Sequence, residues 1–343
     1  MKPLVSILIP AYNAEAWISD TLRSAIAQTW ERKEIIVVDD GSTDQTLAVA
    51  RKFESDQVRV YTHKNQGAAA TRNKAYSLCK GDYIQFLDAD DLMGPDKISK
   101  QMEALGDSPN KRILLSASWG QFKYRYYRTK FTPNELWCDL SPVDWLVRKM
   151  QHNLFMQTAC WLFSRELAEA AGPWDTRLLG DDDGEYFCRV LLACESVRFV
   201  PEAKVYYREA GSTSLSYVGR SDKKLVAQLV SMDLHIRYIR SLEDSPRVHQ
   251  ACVKLLQNWL CVFYPDRPDL VKQMEDMAAS LGGTLQSPKL SWKYSWIGVL
   301  FGRHQARRAE VFLQGFRRSL AAWWDKTMFR MEGRTLEDSL LRG

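Results

Sequence analysis

The chain opens with short, nearly unbroken apolar blocks, separated by stretches where apolar residues recur every three or four positions. LVSILI (4–9) and EIIVVDD (34–40) read as strands. AEAWISDTLRSAIAQT (14–29) reads as a helix with Trp17, Ile18, Leu22, Ala25 and Ile26 on one face. STDQTLAVARKFE (42–54) predicts a second helix, capped by Ser42 or Thr43. VRVYTH (58–63), AAATRNKAYSLC (68–79) and DYIQFLD (82–88) continue the series as strand, helix and strand. Continuously apolar strands that alternate with helices imply an α/β fold with a mostly parallel sheet covered on both faces. Ligands of such sheets lie beyond the carboxyl ends of the strands.

Past the fourth strand the pattern loosens. RILLSASWG (112–120) and KYRYYRTKF (123–131) predict strands, and SPVDWLVRKMQ (141–151) a capped helix. TACWLFSRELAEAAG (158–172) predicts a strand running into a helix, DGEYFCRVLLACE (183–195) a helix, and VRFVPEAKVYYRE (197–209) strand, turn and strand. Beyond Ser221 the chain reads as helical through Phe263, with a loop at YPDRPDL and a glycine-bearing break at 281–284. The expected domains are 1–215, a nucleotide-binding and catalytic unit; 216–284, a helical extension; and 285–343, a basic aromatic tail.

Composition changes this picture in two places. The seven cysteines show no CxxC pair and no zinc spacing, so reduced, mostly buried thiols are expected. The net charge of +5 is concentrated in 285–343, where eleven Lys/Arg face five Asp/Glu. There the cations interleave with Trp292, Trp296, Phe301, Phe312, Phe316, Trp323, Trp324 and Phe329. Such a helix suits an anionic membrane surface (288–330), or packs on the protein itself or on a second copy. The N-terminal apolar run is broken by Pro10 and lacks a small-residue cleavage site, so it reads as a strand and not as a signal peptide. No window is apolar enough to predict a membrane span. KYRYYRTKF mixes bases and aromatics but alternates as a half-exposed strand does, and no nucleic-acid partner is expected.

The chemistry gathers where the early strands end. PAYN (10–13), VDDGSTD (38–44) and LDADD (87–91) should share one edge of the sheet, bringing together Asp39, Asp40, Asp88, Asp90 and Asp91. Carboxylates in that number suit a divalent cation, which in turn can hold a diphosphate. Neither G-x-G-x-x-G nor GxxxxGK[ST] occurs, so no glycine-rich loop wraps the phosphates. Asp91 either assists the cation or caps the following helix. His63 and His152 lack a spaced partner and read as structural.

The pieces VSILIPAYNAEAWISDTLRSAIAQTW, EIIVVDDGSTDQT, NQGAAATRNKA, GDYIQFLDADD and GDDDGEYFCRVL, in this order over 3–210, resemble the inverting family 2 glycosyltransferases of the GT-A fold. The resemblance implies a nucleotide-sugar donor bound with Pro10, Tyr12, Asp39, Arg72 and Asp88. Asp39 would accept the N3–H of a uracil-type base and Tyr12 would line that base. Asp88 would lie near the ribose, and Asp90, with Asp88 as a second ligand, on Mn2+ or Mg2+. Arg72 would contact phosphate or form a surface ion pair. The catalytic base would be Asp183 or, since three successive aspartates leave the register open, Asp182. Trp174–Asp175 would wall the acceptor side. The implied reaction moves one sugar from a UDP- or dTDP-sugar to a hydroxyl of a saccharide or lipid-linked saccharide, in the cytoplasm or on the inner face of the membrane. The alternatives are a non-catalytic nucleotide-sugar scaffold and a Mg2+-dependent phosphohydrolase.

Overall fold

The computed structural model describes residues 2–106, 110–209, 221–264, 266–288 and 303–332. Strands β1 (Val5–Ala11), β2 (Lys33–Asp39), β3 (Val58–Thr62) and β4 (Tyr83–Phe86) are followed by β5 (Leu92–Met93), β6 (Ile113–Phe122), β7 (Phe163–Ser164) and β8 (Ser196–Arg208). The main sheet has the order β3-β2-β1-β4-β7, parallel except for β7. A second sheet, β5-β8-β6, joins β6 and β8 in parallel. Every residue of β1 is buried, as a central strand covered on both faces requires. Helices α1 (Ile18–Ile26), α2 (Thr46–Arg51) and α3 (Ala68–Leu78) make the crossovers between the parallel strands.

Several expectations are corrected. The first helix starts at Ile18 and not at Ala14; a turn at 15–17 precedes it, and the N–H groups of Ala14 and Glu15 bond to Thr46 Oγ1 and Asp44 Oδ2. Ser42 and Thr43 cap nothing. They bond to Asn13, and Asp44 Oδ1 instead accepts the Thr46 N–H at 2.9 Å. The helix expected after LDADD is α4 (Lys97–Leu105), with Ile98, Met102 and Leu105 buried at helical spacing. KYRYYRTKF is no strand: β6 stops at Phe122 and the chain forms a 3-10 turn at Tyr126–Arg128, with Tyr126 buried against Phe122 and Tyr206. VRFVPEAKVYYRE is one strand, not two. Its register with β6 jumps from Val200 to Lys204, since Pro201 has no N–H to offer the ladder.

Ser141 caps α5 (Pro142–His152) through the Asp144 N–H at 3.1 Å, as expected. Helices α6 (Arg165–Ala171) and α7 (Asp182–Ala193) follow, then α8 (Asp222–Leu242), α9 (Pro246–Phe263), α10 (Pro268–Ser280) and α11 (Arg303–Glu332). The aromatic residues Trp292, Trp296 and Phe301 lie outside the described residues, as do the side chains of Phe312 and Phe316. All seven cysteines are free thiols, and five of them are buried.

Lys97, the first residue of α4, is fully buried; its ammonium donates to Gln85 Oε1 and faces no paired carboxylate among the described residues. Burial pushes its pKa down to about 7. An unfolded lysine titrates near ~10.4, so between those values the unfolded state binds the extra proton and stability rises with pH. The difference in unfolding free energy between the wild type and Lys97→Met should therefore move in the wild type's favour by about 1 kcal/mol per pH unit above neutrality. Urea titrations at a series of pH values measure this, and a pH-independent difference would show that Lys97 stays charged in the folded protein.

Candidate active site

The loops that follow β1, β2 and β3 are stitched together by side chains. Asn13 accepts from the N–H of Thr43 and donates its own to Ser42. Asp40 accepts the N–H groups of Gln66 and Gly67, at 2.7 and 2.9 Å. Gly67 has φ +90°, a conformation that glycine adopts without strain, and it leads directly into α3. Asp40 is thus a structural clasp, and the expectation that it joins an open acidic cluster is corrected. His63 belongs to the same clasp, against Gln66, Thr71 and Asp40.

Asp39 ends β2 and is buried. Its Oδ2 accepts from Ser42 N–H and Thr62 Oγ1, whereas Oδ1 is buried with no partner. A buried carboxylate oxygen without a donor is costly, so this position is suited to an incoming N–H. Pro10 is buried in β1, and Tyr12, just beyond the strand, is 50% exposed.

In the loop after β4, residues alternate between half-buried (Asp88, Asp90) and buried (Ala89, Asp91). The alternation is imposed from below. Thr21 Oγ1, on α1, lies 2.9 Å from the carbonyls of both Ala89 and Asp91. Arg208 Nε, at the end of β8, donates to the Asp90 carbonyl at 2.7 Å. Asp91 is 0% exposed, accepting from the Arg208 N–H at 2.7 Å and from Gln157. It therefore neither reaches a cation nor caps α4, whose N-cap is Asp96; it pins β8 beneath the loop. Burial, then the Asp88 charge, raises the Asp90 carboxyl to about 6.

Arg72 is the centre of the site. It is buried on α3 with its guanidinium 4.5 Å from the Trp174 ring, which stacks at 4.1 Å on Tyr186. Asn73 fixes Trp174 by exchanging two hydrogen bonds with its backbone. Arg72 Nη2 donates to Asp88 and Nη1 to Asp182, each at 2.8 Å. Burial opposes its charge, but the two carboxylates outweigh this and hold the guanidinium above its ordinary pKa. Arg72 is therefore no surface ion pair. Trp174 is 2% exposed behind it, while Asp175 beside it is half-buried, and the two line a surface cavity with Arg177 and Tyr238.

The three successive aspartates part company at the start of α7. Asp181 takes a left-handed backbone (φ 54°) and accepts from Ser231 on α8. Gly184 leaves room for this, since a Cβ there would lie 2.0 Å from Asp181 Oδ1. Asp182 is held by Arg72, and burial raises its pKa against the pull of that arginine. Asp183 has no ion-pair partner among the described residues; Thr158 Oγ1 stands at 3.3 Å. Burial, then Asp182 and Asp181, pushes it up to about 6. It lines a cavity of about 50 Å³ with Trp145, Trp161 and Phe155. Thr21, Gln157 and Arg208 were missed in the sequence, where they carry no motif; only their contacts assign them to the site.

Among the described residues no three Asp, Glu, His or Cys side chains form a ready cage for a divalent cation. Asp88 and Asp90 nevertheless supply two carboxylates on one loop, with Asp90 short of positive charge. That suffices for an ion such as Mg2+, which is held by one or two carboxylates and completes its shell with phosphate oxygens and water.

The family model described as "Glycosyl transferase family 2" matches residues 6–172. The putative teichuronic acid biosynthesis glycosyltransferase TuaG of Bacillus subtilis is 45% identical over 105 residues, 30% of this chain and 42% of that protein. Chondroitin synthase of Escherichia coli is 43% identical over 98 residues, 28% of this chain and 14% of that one. The matched stretch spans less than half the length of these relatives. Among solved structures, S. aureus TarS 1-349 in complex with UDP-GlcNAc is similar with a TM-score of 0.54 at 17% identity, covering 82% of this chain and 88% of that one. Mannosyltransferase PcManGT from Pyrobaculum calidifontis, in complex with GDP-Man and Mn2+, gives 0.53 at 17%, covering 95% and 88%. At such identities the likeness carries the fold alone, and the fold is GT-A. Four of the five motifs, the first from Ser6 on, and the acidic strand edge fall inside the family match, and residues 6–172 are similar to glycosyl transferase family 2.

Proposed function

We propose that the chain is an inverting glycosyltransferase that moves a single sugar from a pyrimidine nucleoside diphosphate to a hydroxyl of a saccharide or lipid-linked saccharide acceptor. The observation that carries the reading is the Arg72 bridge, which ties Asp88 on the β4 loop to Asp182 at the start of α7. The bridge supports a single site holding both the β4 loop and the Asp183 carboxylate. In this reading residues 1–215 form the catalytic unit, 216–284 a helical extension and 285–343 a tail seated on the inner face of the membrane.

Asp39 supports a uracil or thymine base. Only Oδ1 lacks a donor, and these bases present one ring N–H, whereas guanine presents an N–H and an amino group side by side. Tyr12 would cover the base and Asp88 the ribose. Asp90, with Asp88, would hold Mn2+ or Mg2+. When bound, such an ion supplies positive charge to the leaving diphosphate. Arg72 holds Asp88 in place and brings a fixed cation to that loop.

Asp183 is favoured over Asp182 as base because Asp182 is paired with Arg72, whereas Asp183 forms no ion pair among the described residues and lines the cavity. As the acceptor oxygen bonds the anomeric carbon, Asp183 takes its proton and the bond from that carbon to the diphosphate breaks. One displacement inverts the centre, and no second nucleophile is needed.

Asp183→Asn should lower transfer by about 10²–10⁴-fold, with UDP affinity nearly unchanged. Transfer at an undiminished rate would remove Asp183 as base. Because its pKa is raised to about 6, the carboxyl is protonated below that pH. The wild-type kcat/KM should then fall about tenfold per unit of further acidification, and a profile flat to pH ~5 would contradict the assignment. Calorimetric titration with UDP, dTDP and GDP, each with and without Mn2+, should give tight binding for the pyrimidine nucleotides with metal. Asp39→Ala should weaken it by about tenfold or more. Equal affinity for GDP would overturn the base assignment.

A further inference from the structure

Among the described residues, helix α11 is clamped to the protein through Asp325, Phe329 and Glu332. Asp325 accepts from the N–H groups of Tyr124 and Arg125 at 3.0 and 3.3 Å, and from Arg125 Nε at 2.6 Å. Glu332 accepts from Tyr127, and from Arg125 and Arg128 at 3.2 and 3.3 Å. Phe329 packs 6.4 Å from the Tyr124 ring. The opposite face carries Leu313, Leu320, Trp324 and Met331 at intervals of seven, four and seven residues, with Trp323 beside them. At 100° per residue the first four fall within about 40° of one another. All five are exposed, Trp323 at 61% and Met331 at 76%. These five residues thus turn away from the fold, whereas Asp325, Phe329 and Glu332 turn toward it.

The charge on the helix indicates what this face meets. Residues 303–332 contain seven Lys/Arg and three Asp/Glu. Two of the three acids, Asp325 and Glu332, are used up in the clamp. A second copy would bring two cationic helices together, whereas an anionic lipid surface complements the cations and receives tryptophan at its headgroup level. The clamped side of the helix lies close to the donor loop. Tyr124, beneath α11, lies 5.7 Å from Trp17; Arg208 stacks 4.2 Å from Trp17 and donates to the Asp90 carbonyl.

We propose that the Leu320/Trp323/Trp324/Met331 face of α11 docks on an anionic phospholipid surface, with the Arg125–Asp325–Glu332 clamp setting the donor site beside that surface. This builds on the function proposed above and narrows the acceptor to one presented at a membrane.

The full chain should co-sediment with vesicles of phosphatidylcholine and phosphatidylglycerol, and at least about tenfold less with phosphatidylcholine alone. The triple variant L320S/W323S/W324S should lose binding to the anionic vesicles by about tenfold or more while keeping wild-type affinity for UDP with Mn2+, which shows its catalytic fold intact. No vesicle binding by the wild type, equal binding to both vesicle types, or undiminished binding of the variant would overturn the proposal. So would a wild-type dimer in sedimentation equilibrium that ignores vesicles and becomes monomeric in the variant. Vesicle binding without any UDP binding would uphold the docking face and remove the catalytic reading instead.

Discussion

The site depends on one guanidinium. Arg72 lies below the surface of a cleft that holds at least four carboxylates, two of which it bonds directly. Without it, Asp88 and Asp182 would face each other unpaired in a poorly hydrated space, and like charges at that range repel strongly when water is excluded. The surrounding fold is arranged to keep Arg72 where it is. Trp174 lies flat beneath the guanidinium, Tyr186 stacks under Trp174, and Asn73 fixes the Trp174 backbone. Since Trp174 precedes α7 and Tyr186 belongs to it, the helix carrying Asp183 is positioned by the same stack.

That arrangement also divides labour among neighbouring aspartates. Three in a row begin α7, yet one bonds to α8, one to Arg72, and one is left facing a cavity. The same division occurs after β4, where Asp91 becomes an anchor for β8 while Asp88 and Asp90 remain half-buried. Burial is the larger cause of the raised pKa at Asp90 and Asp183, with crowding of like charge second. A carboxylate near pKa 6 is a better proton acceptor than an ordinary one and is still ionised at neutral pH.

The second sheet links this chemistry to the far end of the chain. β8 ends at Arg208, which is packed between Trp17 and Phe122 and bonds to the β4 loop. Phe122 ends β6, and the next residues carry the clamp for α11. A helix some two hundred residues from β6 in the chain is thereby brought against the segment that borders the donor loop.

The sequence by itself determined the parallel core, because continuous apolar strands alternating with amphipathic helices can bury themselves in few other ways. It also determined that acids gather at one sheet edge, since strand ends in such a fold share a side. It left open which aspartate does what, because a carboxylate's role is set by its partners and its burial, and neither is written in local spacing. Asp91 and Asp40 read like site residues and are clasps; Arg208 and Thr21 read like nothing in particular and hold the loop. The strand expected at 123–131 failed for the same reason. Its alternation is real, but Asp325 and Glu332, distant in sequence, bond the backbone and side chains that a strand would have needed. Long-range partners settled these cases, and only the tertiary structure brings such partners together.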